Sequence, residues 1–388
     1  MRLALIPLLL LAASCAAATS PTAPDVTVAT PVTAAAPVPA RRPARGLDER
    51  VNGVRVVHLC GTPEEMGTQM GEICGADVRY LVEANLKKIP WIAKDTKAAI
   101  ERSRRFAKGI PDAQMRELRA TAKAAGVDED WMLVASTVIE IVEETRACAA
   151  VAAWGTATPS HETIVGRNLD WHDIGKLHEH GLIVVRHPDG GRPFLSCGFP
   201  GIPGVLTGTN DAGVFTADLV QYAKKPAPAA EGGIPVMSLQ RLAMETCTTA
   251  AQAVAVYEGS LRTVPQNYIV ADAEGASFLE TDAVKVVRRV ALADTVAGTN
   301  WAEEERGHLR GDARFGSICS CIDGSVGAIG APQIEAALAA ANLGPLSVMS
   351  IVAVPARRSL RVSIGNSPAC KGPFVDIDGA DLLARDPR

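Results

Sequence analysis

The residues best suited to chemistry lie between Cys148 and an apolar stretch that carries two charges. Cys148 opens a short apolar run that ends at Ala153, and residues 166–171 (GRNLDW) follow it. Taken alone, a cysteine at the start of a strand is more often a small buried hydrophobe than a nucleophile. Arg167 and Asp170 change that balance, because unpaired charges inside an apolar strand are costly and those that persist usually have a function.

Other reactive side chains form weaker patterns. His172, His178 and His180 lie close together in the sequence, but no cysteine or carboxylate accompanies them at a spacing typical of metal ligands. We interpret them as part of a solvated loop and expect no metal. The sequence has no G-x-S-x-G nucleophile elbow, no H-E-x-x-H helix and no phosphate loop, and we expect no cofactor.

We expect a first strand at 51–59, after which helical sequence fills most of the chain from Pro63 to Thr145. Residues 62–65 (TPEE) are typical of a helix start, with Thr as the N-cap, Pro at the first helical position and Glu at the third. We expect breaks near Pro90, Pro111 and Gly126.

From Cys148 onward the pattern changes to short strands. We expect strands at 148–153, 163–169, 182–186, 194–197, 205–207, 214–219, 268–272, 277–280, 284–290, 347–354 and 361–364, and helices at 236–245, 250–257 and 333–341. Runs of strands interrupted by a helix pair favour an α+β fold or a layered sandwich with helices outside.

The N-terminus is typical of a secretory signal peptide. Arg2 precedes the almost wholly apolar residues 3–13, a segment too short to span a membrane. Residues 12–15 (AASC) resemble a bacterial lipoprotein box, although Leu11 lies four residues before Cys15 where three is usual. Lipid attachment at Cys15 and plain export therefore both stay open. We expect an exported protein, periplasmic or at the cell surface.

Composition narrows the choice of partners. The chain has 388 residues, is 47% hydrophobic, and carries a formal charge of −4 with no basic block. Nucleic acid is therefore not an expected partner, because phosphate binding needs a concentrated positive face. The nine cysteines are irregularly spaced, which argues against a dense disulfide framework, although one or two bridges stay open.

The order of these motifs resembles a known superfamily. Residues 166–171, placed downstream of a cysteine, resemble the N-terminal-nucleophile hydrolases related to bile salt hydrolase and penicillin V acylase. Residues 61–67 (GTPEEMG), together with Gly71, resemble one branch of that superfamily, the isopenicillin N acyltransferase-like autoproteolytic acyltransferases and hydrolases. The resemblance implies a four-layer αββα sandwich preceded by an α-rich prosegment.

The resemblance also implies a division of the chain and a cleavage site. We expect a signal peptide at 1–15, an Ala/Pro-rich tether at 16–46, the prosegment at 47–147 and the catalytic chain at 148–388. Cleavage of the Ala147–Cys148 bond would make Cys148 a new N-terminus. One residue would then supply the thiol nucleophile and, through its α-amine, the base.

Further roles are carried over residue by residue. Asp170 is expected to hold the α-ammonium group of Cys148. Arg167 is expected to favour the thiolate and to pair with Asp170. Asn300, which follows a threonine as in the family, is expected to orient the amine or the oxyanion.

Two assignments have structural alternatives. Asn210 matches the oxyanion-hole asparagine of the family, but an asparagine there also suits the geometry of the turn that follows. Arg314 resembles the downstream arginine of the family, but it also suits the exposed surface of a helix. One departure concerns the residue after the nucleophile, where the family commonly has Thr or Ser and this chain has Ala149.

The sequence therefore predicts an autoproteolytic cysteine amidohydrolase or acyltransferase that acts on linear amides through an acyl-enzyme on Cys148. Its expected partners are a small-molecule amide or acyl substrate and, through a lipid on Cys15, a membrane surface. Two alternatives stay open. One is a catalytically inactive exported lipoprotein of the same fold. The other is an unprocessed hydrolase that pairs Cys148 with a histidine such as His172.

Overall fold

The computed structural model of the protein describes residues 45–141, 147–222, 228–301 and 312–387. The predicted signal peptide, Cys15 and nearly all of the predicted tether lie outside the described residues. Within the described ranges, no helix is both long and apolar enough to cross a membrane. The eight cysteines in these ranges are all free thiols, so the option of a disulfide bridge is not realised among them.

Helices dominate the described chain before Cys148, as predicted. They are α1 (Pro63–Ala84), α2 (Pro90–Lys94), α3 (Thr96–Phe106), α4 (Asp112–Ala125), α5 (Glu129–Ser136) and α6 (Val138–Ile141). The predicted start of α1 is confirmed, because the Thr62 hydroxyl accepts a hydrogen bond from the Glu65 amide and the Glu65 carboxylate accepts one from the Thr62 amide. The predicted break at Gly126 is confirmed too, since its φ of +66° ends α4 in a left-handed cap.

The strands form two sheets. The first, sheet I, has the order β1-β2-β5-β6-β7-β8-β9-β10-β11, and the second, sheet II, has the order β12-β3-β4-β13-β14-β15. Their bounds are β1 (Leu47–Val51), β2 (Val54–Gly61), β3 (Ala147–Ala153), β4 (Ile164–Asp170), β5 (Leu182–Pro188), β6 (Phe194–Gly198), β7 (Thr207–Asn210), β8 (Phe215–Val220), β9 (Gln266–Asp272), β10 (Gly275–Thr281), β11 (Val286–Arg288), β12 (Thr295–Gly298), β13 (Ser347–Val354), β14 (Ser359–Ile364) and β15 (Val375–Asp378).

Helices cover the outer faces of both sheets. The described helices after Cys148 are α7 (Val236–Thr246), α8 (Ala250–Gly259), α9 (Ala313–Asp323), α10 (Ala331–Ala340) and α11 (Gly379–Ala384). Helices α1, α7 and α8 pack on sheet I, α9 and α10 pack on sheet II, and β3 of sheet II faces β8 of sheet I. The four-layer αββα sandwich is therefore confirmed. Gly166 permits the close approach of α10, because a Cβ there would collide with Ile334.

A few elements differ from the sequence prediction. The strand expected at 205–207 is wrong in position, since β7 begins at Thr207 while the Val205 amide donates to the Met237 carbonyl of α7. The single strand expected at 51–59 is instead a hairpin of β1 and β2, which turns at Asn52 and Gly53 with positive φ angles. Strands β12 and β15 and helices α9 and α11 were not predicted, because they are short or lack a clear period.

The predicted prosegment is built into the sandwich. Strand β2 pairs in parallel with β5 over six register positions, from Val56–Ile183 to Gly61–Pro188. A buried ion cluster adds a second connection, with Glu117 of α4 lying 3.1 Å from the Arg186 guanidinium and 2.7 Å from that of Arg241. The part of the chain before Cys148 therefore shares a sheet and a charged core with the part after it.

Replacing Glu117 should expose how much this cluster contributes. The change Glu117→Ala leaves two fully buried guanidinium groups short of a counter-charge, and we expect the free energy of unfolding to fall by about 3–5 kcal/mol. Glu64→Ala is the matched control, because its ion pair with Arg116 is half-exposed and should contribute less than about 1 kcal/mol. Urea denaturation of both variants measures this, and equal stabilities would contradict the account.

Candidate active site

Strands β3 and β4 position the proposed nucleophile. Cys148 lies opposite Leu169, and Ala150 lies opposite Arg167. Because side chains alternate along a strand, Cys148, Ala150 and Arg167 all point into the layer between the two sheets. The Arg167 Nη2 atom lies 3.7 Å from Cys148 Sγ, which brings the two predicted residues into contact.

Arg167 is fully buried and has an acidic neighbour that the sequence analysis did not name. Its Nη2 donates to the Asp218 backbone carbonyl at 3.0 Å and lies 3.7 Å from the Asp218 carboxylate. Its Nε and Nη1 atoms have no hydrogen-bond partner among the described residues. Since buried donors are nearly always satisfied, these two atoms are suited to a ligand oxygen or a water molecule.

The expected ion pair between Arg167 and Asp170 is wrong. The two residues are three positions apart on one strand, so their side chains point to opposite faces of sheet II. The partner of Asp170 is instead Arg314 of α9, whose Nη1 lies 3.4 Å from Asp170 Oδ2. Arg314 is therefore directed at the site and is not a helix-surface residue.

Asp170 is a buried carboxylate with two partners. The Ser347 hydroxyl donates to Oδ1 at 2.5 Å, and Arg314 approaches Oδ2. Burial raises the pKa of Asp170 to about 6, while the Ser347 hydrogen bond and the charge of Arg314 act in the opposite direction. Asp170 is therefore a carboxyl group whose pKa lies above the ordinary value of an aspartate.

Asn300 connects the backbone of Cys148 to this network. Its Oδ1 accepts a 2.9 Å hydrogen bond from the Cys148 amide and a 2.6 Å bond from Arg314 Nη2. Its Nδ2 donates to the Val220 carbonyl at 2.7 Å, and Arg314 Nη1 also lies 3.3 Å from the Cys148 carbonyl oxygen. Of its two expected roles, this geometry favours orientation of the amine, because its oxygen faces the Cys148 nitrogen.

The Cys148 thiol is buried in the uncleaved chain. Burial raises its pKa above the ordinary value, and the nearby charge of Arg167 opposes that rise. The thiol therefore needs a base to become a nucleophile. Ala149 has its side chain in the apolar layer between sheet II and helices α9 and α10, on the face opposite the thiol, so the absent hydroxyl at that position does not face Cys148.

The structure places Asn210 away from this group. Its Nδ2 donates to the Met244 and Cys247 carbonyls, and its Oδ1 accepts from the Ala212 and Val214 amides. The Asn210 amide donates to the carbonyl of Val214, just before β8 begins. Val220, which accepts a hydrogen bond from Asn300, ends that strand and lies about 20 Å from Val214 at the rise of an extended strand. The oxyanion role predicted for Asn210 is thus corrected to the structural alternative, a residue that shapes a turn.

In the part of the chain that the structure describes, His172, His178 and His180 form no hydrogen bond with Cys148. His172 packs against Trp91, His178 lies 2.6 Å from the Asp173 carboxylate, and His180 stacks on Tyr80. Among the described residues, no group of three or more His, Cys, Asp or Glu side chains is arranged to hold a metal ion.

An apolar cavity of about 60 Å³ lies beside β4, the strand that pairs with the strand of Cys148. Leu169, the register partner of Cys148, and Trp171 form part of its wall. The other lining residues come from both sides of the predicted cleavage site and are almost all apolar: Val78, Leu81, Val82, Asn85, Leu86, Met132, Ala135, Val138, Leu177, Phe199, Pro200, Ile202, Leu206 and Met237. We call this space the apolar cavity.

Sequence reasoning missed two polar residues of the site. Asp218 lies in the apolar strand β8, so the argument that singled out Arg167 and Asp170, a charge in an apolar strand, could have found it. Ser347 gave no such signal, because serine at the start of a strand is common and its contact depends on the register of β13.

A family model matches part of the chain. Residues 156–310 match the family model described as acyl-coenzyme A:6-aminopenicillanic acid acyl-transferase. This match confirms the resemblance to the isopenicillin N acyltransferase-like branch over those residues, and the members of this family are acyltransferases and amidohydrolases. Arg167, Asp170 and Asn300 lie within the matched segment, while Cys148 and Arg314 lie just outside it.

A protein of Archaeoglobus fulgidus described as uncharacterized is 26% identical over 271 residues, which are 61% of this chain and 45% of that relative. The chain thus spans less than half the length of this relative.

Three solved structures are also similar. An N-acylethanolamine-hydrolyzing acid amidase ortholog of Caenorhabditis elegans covers 54% of this chain and 93% of its own at 18% identity, with a TM-score of 0.43. A variant of conjugated bile acid hydrolase from Clostridium perfringens covers 59% of this chain and 92% of its own at 12% identity, with a TM-score of 0.44. Penicillin V acylase from Agrobacterium tumefaciens covers 60% of this chain and 86% of its own at 13% identity, with a TM-score of 0.42.

Two asparagine variants separate the site from the turn. Asn210→Ala removes four hydrogen bonds, so we expect it to lower the free energy of unfolding by about 2–4 kcal/mol, with little effect on turnover per folded molecule.

Asn300→Ala frees the Cys148 nitrogen and should lower turnover by about 100-fold, the effect of a small misplacement of reacting groups. Turnover corrected for the folded fraction measures both, and a fully folded but inactive Asn210→Ala protein would overturn the placement of Asn210.

Proposed function

We propose that the protein is an N-terminal-nucleophile amidohydrolase or acyltransferase that cleaves its own Ala147–Cys148 bond and then acts on linear amides through Cys148. The observation that carries this proposal is the hydrogen bond from the Cys148 amide to Asn300 Oδ1. It places the backbone nitrogen of Cys148 inside the polar network of the site. A nitrogen in that position is useful to catalysis once it is an amine.

The cleavage step needs only groups of this chain and water. The Cys148 sulfur attacks the Ala147 carbonyl carbon, a C–S bond forms, and the C–N bond to Cys148 breaks as its nitrogen takes up a proton. Water then hydrolyses the thioester, which gives a carboxylate on Ala147 and a free amine and thiol on Cys148. Arg167 stabilises the attacking sulfur by its positive charge, since it lies 3.7 Å away.

In the cleaved protein the α-amine of Cys148 becomes the base. An α-amine has an ordinary pKa of about 7.7–8.0, close to the roughly 8.5 of a thiol, so proton transfer between them is nearly balanced. The thiolate attacks the amide carbonyl, the α-ammonium protonates the leaving amine, and an acyl-enzyme remains. Water then releases the acid, or an incoming amine takes the acyl group.

Arg167 and Asp170 contribute to this reaction from opposite faces of β4. On the inner face, the unpartnered Nε and Nη1 of Arg167 are donors suited to the developing oxyanion, in place of Asn210. On the outer face, the carboxylate of Asp170 favours the ammonium form of the amine, and Arg314 holds that carboxylate and Asn300 together.

Two cysteine variants test the nucleophile. Cys148→Ala should give an uncut chain without amidase or acyltransferase activity, because thiol and cleavage are both lost. Cys321→Ala is the matched control, since Cys321 is partly exposed on α9, and it should keep cleavage and turnover near wild type. Gel analysis and an amide-hydrolysis assay decide the matter. A Cys148→Ala chain that is still cut or still active would sink the proposal.

The substrate class follows from the apolar cavity. Its wall is almost wholly apolar and reaches Leu169, the register partner of Cys148 on β4, so it suits the acyl part of an amide and not the amine part. We therefore propose linear amides with an apolar acyl group as substrates. The signal-like residues 3–13 and Cys15 support an exported location, with a lipid on Cys15 holding the enzyme at a membrane surface.

Narrowing the apolar cavity should change acyl preference. Ala135→Leu fills part of the cavity, and displacing about two methylene groups of substrate corresponds to roughly a tenfold rise in KM for a hexanoyl anilide. The acetyl anilide, which does not reach the cavity, should be unaffected. Ala98→Leu, at an exposed position of α3, is the control. An equal effect on both substrates would exclude the cavity as the acyl site.

A further inference from the structure

Strand β13 contains an irregularity beside Asp170. From Ala353–Val165 to Met349–Leu169 its pairing with β4 advances one residue at a time. The next pair is Ser347 with Asp170, so Val348 is an extra residue in a β-bulge. An uninterrupted register would put Val348 opposite Asp170.

The bulge determines which side chain meets the carboxylate. Val348 and Met349 are both buried in the same core cluster between the layers, and Ser347 points to the side of the sheet where Asp170 lies. The Trp171 amide then donates to the Leu346 carbonyl at 2.7 Å, which fixes the chain on the far side of the bulge. Bulges next to active sites commonly re-aim a side chain in this way.

The hydrogen-bond direction at Ser347 is set by its partners. An ionised carboxylate only accepts, so the single hydroxyl proton of Ser347 goes to Asp170 Oδ1 at 2.5 Å. The Cys370 side chain also lies against Ser347. Ser347 is fully buried, and water therefore does not compete for this hydroxyl.

We propose that Ser347 is a positioning residue that holds Asp170 ionised and oriented beside Cys148, and that the β-bulge presents its hydroxyl to that carboxylate. The inference rests on the proposed function, in which the charge of Asp170 supports the α-amine of Cys148. Ser347 acts through Asp170 and does not touch the reacting atoms.

The charges around Asp170 give this proposal a pH signature. Arg314 faces it from α9, and Cys370 lies behind Ser347. Arg167 on its own strand and the Cys148 thiol on β3 are also near but point to the opposite face of sheet II. Burial raises the pKa of Asp170 to about 6, and the hydrogen bond from Ser347 is the main influence that lowers it. Loss of that bond therefore raises the pKa further, so that, as the pH falls, the carboxylate becomes protonated at a higher pH than in the wild type.

The test is the pH dependence of amide hydrolysis by the mature protein. Ser347→Ala should move the acidic limb of the kcat profile upward by about one pH unit, the scale of one lost charge-assisted hydrogen bond. Relative to wild type, its rate should be several-fold lower at the midpoint of the wild-type acidic limb and nearly equal at pH 9. Ser347→Thr keeps the hydroxyl and should restore the wild-type limb.

Ser350→Ala is the matched control, because Ser350 lies on the same strand and donates to the uncharged Asn168, so its acidic limb should not move. If Ser347→Ala does not fold, Ser347→Cys carries the test, since it keeps the volume and supplies only a weak donor. A wild-type protein that is active, with an unshifted limb in folded Ser347→Ala or Ser347→Cys, overturns the role of Ser347. A wild-type chain that is neither cut nor active overturns the proposed function instead.

Discussion

The hydrogen bond between the Cys148 amide and Asn300 Oδ1 is the interaction on which the site depends. Asn300 is itself held from both sheets: its Nδ2 donates to Val220 at the end of β8, and its carbonyl accepts from the Tyr222 amide, while β12 just before it pairs with β3. The stacking of the two sheets therefore determines where the nitrogen of Cys148 lies. Any change that shifts one sheet against the other moves that nitrogen relative to its acceptor, which links the packing of the sandwich directly to the chemistry.

The geometry also separates two tasks that would interfere if they shared one face. Arg167 lies between the sheets with the thiol, where its charge favours the thiolate. Asp170 lies on the opposite face with Arg314 and Ser347, where a negative charge favours an ammonium group. Because the strand alternates, the backbone of β4 stands between the arginine and the aspartate and keeps them from neutralising each other. In the proposed function, the two opposite charges of the motif GRNLDW would act on the two functional groups of Cys148.

Much of this could be predicted from sequence, and the limits have physical causes. The start of α1 was predictable because capping chemistry is local, and Arg167 and Asp170 were conspicuous because charges are rare in apolar strands. Their partners were not predictable, since an ion pair between distant segments depends on how sheets and helices pack. Asn210 shows the opposite error, because a motif can match while the side chain is fully used by its own turn. Ser347 could not be found at all, because one extra residue in a strand decides where it points.

The central claim is that Cys148 becomes an N-terminus while the two parts of the chain stay together. Intact-mass analysis and N-terminal sequencing of the purified wild-type protein, combined with gel filtration under native conditions, test it most directly. The account predicts two chains, the second beginning Cys-Ala-Ala-Val, that elute as one particle because β2 remains paired with β5. A single uncut chain with full amidase activity would contradict it.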